Sequence, residues 1–182
     1  MDRNAQAAVT TRSAPRRRGF TLIEMIAVIS LVGILSVTAV VSVSGTAAGR
    51  SRAAARMLAR DLNFARERAL ATGRGTWVSI SVTGSSYSVL AESEASPGRV
   101  GAIAVTDPAT GRPFVVRIGA GESAGVAIEA VSIPGGGTDI GFDGLGRPSN
   151  AAGTRLTSNA TVALSSAATV TVSGGAGLAT CP

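Results

Sequence analysis

The stretch RRRGFTLIEMIAVISLVGILSVTAV, residues 16–40, sets the terms for the rest of the chain. From Phe20 to Val43 the sequence is apolar apart from Glu24, a few hydroxyls and Gly33. About 20 such residues in a helix span a bilayer. Arg16, Arg17 and Arg18 stand before the run and, by the positive-inside bias, hold that end in the cytoplasm, so that the chain after Val43 lies outside. A secretory signal peptide would be cut after its apolar run, at small residues. Ser36 and Ala39 mimic that site weakly, whereas Gly19 offers a cut before the run. Glu24 is the anomaly, because a carboxylate at this depth costs roughly 3 kcal/mol on insertion scales unless it is paired. A cut after Gly19 would create an α-amino group able to meet Glu24, in the same helix or in a neighbouring subunit.

Composition narrows the chemistry. The 182 residues suffice for one domain of ordinary size and an accessory segment. All 17 basic residues are Arg, and His is absent. Residues 1–19 carry five Arg against one Asp (+4), residues 20–182 twelve Arg against ten acids (+2), and residues 75–182 five Arg against seven acids (−2). The basic character therefore sits in the N-terminal segment and one helix, not across the distal part. Cys181 is alone, so no intramolecular disulfide forms. Without His the commonest general base and metal ligand is missing. These counts point away from a metal or nucleophilic enzyme and leave an Asp/Glu pair as the catalytic arrangement still open; no paired constellation in the sequence supports one, and no catalytic residue, cofactor or metal site is expected.

Residues 46–72 read as a continuing helix. Ala54, Leu58, Leu62, Ala65 and Ala69 form one apolar stripe, widened by Met57 and Phe64. Gly73 follows as a C-terminal stop. Continuous from Phe20, such a helix has about 53 residues and a length of ~80 Å, too long for the interior of a compact domain. Its Arg residues at 50, 52, 56, 60, 66 and 68 read either as a solvated face or as a binding stripe for acidic partners or DNA; no aromatics interleave to stack bases. After Gly73 the period changes to two. TWVSISV and SYSVLAE form a hairpin around TGSS. Trp77, the largest apolar residue, is expected to fasten the sheet to the helix. Further strands are expected at 100–105, 113–118, 125–131, 138–142, 160–165 and 168–173. Short strands between Gly-rich turns imply an antiparallel meander or two small sheets, an α+β fold.

RGFTLIE, with its Gly–Phe junction and Glu five residues past it, resembles the signal of type IV pilins and type II secretion pseudopilins. ARDLNFARERALATGRGTWVSIS and the turn Ile140, Phe142, Gly146, Arg147 and Pro148 extend the resemblance to the GspH/FimT group of minor pseudopilins, over most of residues 16–178. The resemblance implies that a prepilin peptidase cuts after Gly19 and methylates Phe20, that Glu24 guides assembly, and that the fold is a long helix packed on an antiparallel β domain. It also implies a pseudopilus that pushes folded substrates through an outer-membrane channel. Two departures are the long leader and Val41, where many pilins have a helix-kinking Pro.

The expected organisation is a removed leader at 1–19, a transmembrane and filament-core helix at 20–45, an amphipathic helix at 46–73 and a periplasmic β domain at 74–182. The expected partners are the prepilin peptidase, other pseudopilins or pilins packing helix to helix, and an inner-membrane assembly platform. The expected location is the bacterial inner membrane, single-pass, and then the pseudopilus. A FimT-type minor pilin of a type IV pilus or of DNA uptake is the second reading, although Arg147 and Arg155 alone give little phosphate affinity at the C-terminal end. A third is a solitary single-pass envelope protein with a ligand-binding β domain, which would keep residues 1–19. PGGG and GGAG lack the setting of a phosphate loop, and Asp139 and Asp143 lack the dense oxygen shell of a calcium site.

Overall fold

A computed structural model describes residues 20–182; for residues 37–45 only the backbone is described. One helix, α1 (Leu22–Thr72), is followed by ten strands: β1 (Thr76–Ser81), β2 (Ser86–Ala91), β3 (Ile103–Ala104), β4 (Val115–Arg117), β5 (Ile128–Ser132), β6 (Asp139–Phe142), β7 (Pro148–Ser149), β8 (Ala160–Leu164), β9 (Thr169–Val172) and β10 (Ala179–Thr180). A single 3-10 turn, Gly121–Ser123, lies between β4 and β5. The described chain divides into two units at Val41/Ser42, the second being Ser42–Pro182.

In the second unit α1 ends at Thr72, and Gly73 follows at φ +67°, the left-handed conformation that glycine adopts without a Cβ penalty. The stripe expected from the sequence is the buried one: Ala54, Leu58, Leu62, Ala65 and Ala69 are buried, in one core with the inner faces of both sheets. The larger sheet runs β3-β2-β1-β6-β7, with β4 also on β2, and the smaller runs β10-β9-β8-β5; every pairing is antiparallel. The α+β class holds, and of the two arrangements expected, a meander or two small sheets, the structure has the two sheets. The strands β7 and β10 and the 3-10 turn are additions.

The expectation for Trp77 is corrected. Thr76, Val78 and Ile80 share one face of β1, and Val78 and Ile80 belong to the core. On β6, Thr76 and Val78 pair with Phe142 and Ile140, which belong to the same core. Trp77 has the opposite parity and stands on the other face, so it does not fasten the sheet to α1. It is buried there because it lies over glycines: its register partner is Gly141, where a Cβ would come within 2.6 Å of the indole.

Candidate assembly site

At the N-terminus the structure places Phe20 just before α1, with Thr21 as the cap. The Glu24 N–H donates to the Thr21 hydroxyl at 3.3 Å and to its carbonyl at 3.1 Å. Thr21 and Glu24 thus stand at the N-cap and third helical positions of a capping pair. Glu24 lies in the first turn, exposed, where a carboxylate also meets the positive end of the helix dipole. Its carboxylate has no partner among the described residues. Gly19, Arg16, Arg17 and Arg18 lie outside the described residues.

From Met25 to Leu35 the helix has no polar face. Leu22, Ile23, Met25, Val28 and Leu31 point around the whole circumference, and the large apolar side chains of this segment, Phe20 included, are 52–78% exposed. A helix that is apolar all round is stable only when covered, in a core or in a membrane. Ser30 and Ser36 hide their hydroxyls by donating to the carbonyls of Ile26 and Val32 at 2.8 and 2.7 Å, which removes the polar groups that lipid or a neighbouring helix would penalise. Among the described residues no helix is long and apolar enough to cross a membrane. The described side chains of this segment end at Ser36, while the apolar sequence continues to Val43.

In the second unit, polar contacts tie α1 to the sheets at fixed heights. Asp61 is buried, and its carboxylate accepts a hydrogen bond from the buried Tyr87 hydroxyl at 2.6 Å. Burial first, then the Asp61 charge, pushes the Tyr87 phenol well above its ordinary value. Asn63 grips β10 from the side: its amide donates to the Ala179 carbonyl and accepts the Ala179 N–H, both at 3.0 Å. The Arg66 guanidinium donates to the Gly146 carbonyl at 3.2 Å. Sequence reasoning passed over Asp61 and Asn63. The signal for Asp61 was available, since it lies three residues after Leu58 and four before Ala65, inside the buried stripe.

The turn after β6 is built around Asp143. Its carboxylate accepts the N–H groups of Leu145 and Arg147 and the Arg147 guanidinium, at 3.0, 2.9 and 2.7 Å. Burial pushes this carboxyl up, but the Arg147 and Leu145 hydrogen bonds outweigh it and hold it below the usual range. Gly146 takes φ +69°, and a Cβ there would press on the Leu70 side chain at 2.9 Å. The glycine of the sequence motif is thus required by both backbone and packing, and Pro148 resumes pairing opposite Phe142. Asp139 forms an ion pair with Arg99 at 2.6 Å. Among the described residues no cluster of His, Cys, Asp and Glu could hold a metal ion.

Comparison with known proteins completes this picture. Residues 54–176 match the family of the type II transport protein GspH. The chain belongs to that family. Residues 14–40 match the prokaryotic N-terminal methylation motif, the segment that holds Gly19, Phe20 and Glu24. The GspH fold is also seen in a solved structure, the minor pseudopilin EpsH from the type 2 secretion system of Vibrio cholerae, with a TM-score of 0.52, 11% identity, and coverage of 73% of this chain and 96% of that one. No curated protein matches the chain by sequence. As a GspH-family member with the methylation motif, it is a type IV pilin-like protein of the pseudopilin kind.

Proposed function

We propose that the chain is a minor pseudopilin, a structural subunit of the pseudopilus of a type II secretion system. It is made as a precursor whose residues 1–19 stay in the cytoplasm. Prepilin peptidase cuts between Gly19 and Phe20 and methylates the Phe20 nitrogen. The helix from Phe20 holds the subunit in the inner membrane with the β domain in the periplasm, until the assembly platform moves it into a filament. There its apolar helix packs against those of other pseudopilins. Family membership supports the system. The observation that carries the mechanism is the uncovered apolar helix with one carboxylate in its first turn.

Glu24 then has two jobs. Its backbone position starts the helix with Thr21, which any residue with an N–H could do. Its carboxylate balances the positive charge of the new N-terminus, which remains cationic after one methylation. In a filament core with little water, that pairing offsets a cost of several kcal/mol for each group. Glu24→Ala is expected to be processed at Gly19 as usual and to enter the filament poorly. Glu24→Gln, of the same size, separates charge from shape and is expected to fail likewise. Recovery of either variant in sheared filaments at the wild-type level would sink the charge-pairing role.

The minor-pilin reading with DNA uptake draws less support. Arg147 is already engaged by Asp143, which leaves Arg155 as the remaining cation at the C-terminal end for a phosphate.

A further inference from the structure

Arg50, Arg56 and Arg60 of α1 line a groove of about 650 Å³ that Arg117, at the end of β4, closes from the opposite side. Its floor is apolar, made by the buried Ala54 and the half-buried Met57 and Val116, with Ala53 and Ala120 at its exposed edge. Its lining contains one carboxylate, Glu122, so four guanidiniums leave a surplus of three positive charges. Arg50, Arg56 and Arg117 are exposed and form no ion pair among the described residues. Among the described residues Arg60 pairs with Asp61, which Tyr87 already holds. Clustered like charges repel unless an anion meets them, and planar guanidiniums suit carboxylates and phosphates.

Three occupants present such anions. Lipid headgroups reach too short a distance. At 1.5 Å per residue, Arg50, Arg56 and Arg60 stand roughly 10, 20 and 25 Å along α1 from Val43, where the apolar run ends, and the headgroup layer on each side is only ~5–8 Å thick. A second copy fits no better. Glu67 and Asp107 line the next groove along α1, which shares Arg60. Two copies anchored in one membrane are related by an axis along its normal, so each residue stands at the same height in both, and the arginines of one groove face those of the other rather than Glu67 and Asp107. The apolar floor also asks for an apolar side chain beside the anion. We propose that this groove docks a segment of a different subunit of the assembly, one that carries a carboxylate next to an apolar side chain.

The proposal rests on the assembly reading above and is tested separately from it. The full chain is expressed in its own cells with a benzophenone amino acid at Ala120, irradiated in intact membranes, and the adduct mapped by mass spectrometry. The expected adduct is a different protein of the assembly, joined at a segment with Asp or Glu within a few residues. Its yield is expected to fall about tenfold in Arg56→Glu/Arg117→Glu, the size of effect that reversing close charge pairs gives. It is expected to stay within about twofold in the control Arg112→Glu, an exposed arginine outside the groove. The pair Arg56→Gln/Arg117→Gln serves if the double reversal fails to accumulate. An adduct on phospholipid, on a second copy or on a segment without a carboxylate overturns the proposal, as does no adduct, or a yield indifferent to both double variants. The N-terminus is read from the same cells. Retention of residues 1–19 sinks the assembly reading, whereas a Phe20 start without the expected adduct sinks only the docking groove.

Discussion

Removing one oxygen atom from Tyr87 should weaken the second unit by about 2–3 kcal/mol. Tyr87 and Asp61 are 1% and 4% exposed, and 2.6 Å separates the hydroxyl from the carboxylate. Tyr87→Phe keeps the ring and the packing and leaves the Asp61 oxygen without its donor. A hydrogen bond to a charged group is worth ~1.5–3 kcal/mol, and an abandoned buried acceptor lies at the top of that range. Arg60 cannot replace the donor: it sits 3.2 Å from the other carboxylate oxygen, and its side chain is 75% exposed, so solvent screens the pair to below about 1 kcal/mol. For a unit of this size the loss lowers Tm by roughly 6–12 °C. The assay is thermal unfolding of the full chain in detergent, followed by far-ultraviolet circular dichroism, in a double-mutant cycle with Asp61→Asn. A coupling of at least about 1 kcal/mol between the two sites is expected. A Tyr87→Phe variant within ~0.5 kcal/mol of wild type, or strictly additive costs, would refute the reasoning.

Asn63→Ala removes both hydrogen bonds to Ala179; a loss of about 1–2 kcal/mol and faster trimming of residues 174–182 by carboxypeptidase are expected. Gly146→Ala meets a left-handed backbone and the Leu70 side chain at once and should cost ~1–3 kcal/mol in urea unfolding, whereas Gly153→Ala, also at positive φ but in open space, should cost less. The pH profile of stability should fall on both sides. Tyr87 has a raised folded pKa, so its contribution is complete below about pH 10 and is lost as pH rises beyond it. With one Tyr and no Lys in the chain, phenolate absorbance should develop together with alkaline unfolding. The Gly75 and then the Gly98 N–H hold the Glu92 carboxyl low. Its contribution, with that of Asp143, is present above about pH 4 and is lost as pH falls through the folded values, so acid titration of Tm should show a decline there.

Much of this was legible in the sequence because the signals were local. The stripe from Ala54 to Ala69 follows helix periodicity, Gly73 stops the helix as a glycine past the last turn should, and alternation around TGSS gives the β1–β2 hairpin. The Gly146–Pro148 turn was legible as a motif, although its organiser, Asp143, shows only once its carboxylate is seen to gather three donors. Trp77 was misplaced because its size was weighed and its parity was not. Thr76 and Val78 take the inward positions on β1 even though Thr76 is polar, because the register with Phe142 and Ile140 fixes the face. The strands β7 and β10, two residues each, carry no periodicity of their own; β7 owes its place to the turn and β10 to Asn63. The groove beside Arg117 was invisible for the same reason, since it needs β4 brought against α1 across more than fifty residues of chain. At the assembly site, the sequence pointed to Gly19, Phe20 and Glu24, and the structure adds Thr21 as the cap and the bare apolar surface behind it.

The measurement that bears most directly on the central claim is the intact mass and N-terminal sequence of the protein from its own cells, with and without active prepilin peptidase. With the peptidase, the account expects a chain that begins at Phe20 and carries one methyl group; without it, a chain that retains residues 1–19. A mature protein that keeps those residues in the presence of active peptidase, or starts elsewhere, would contradict it.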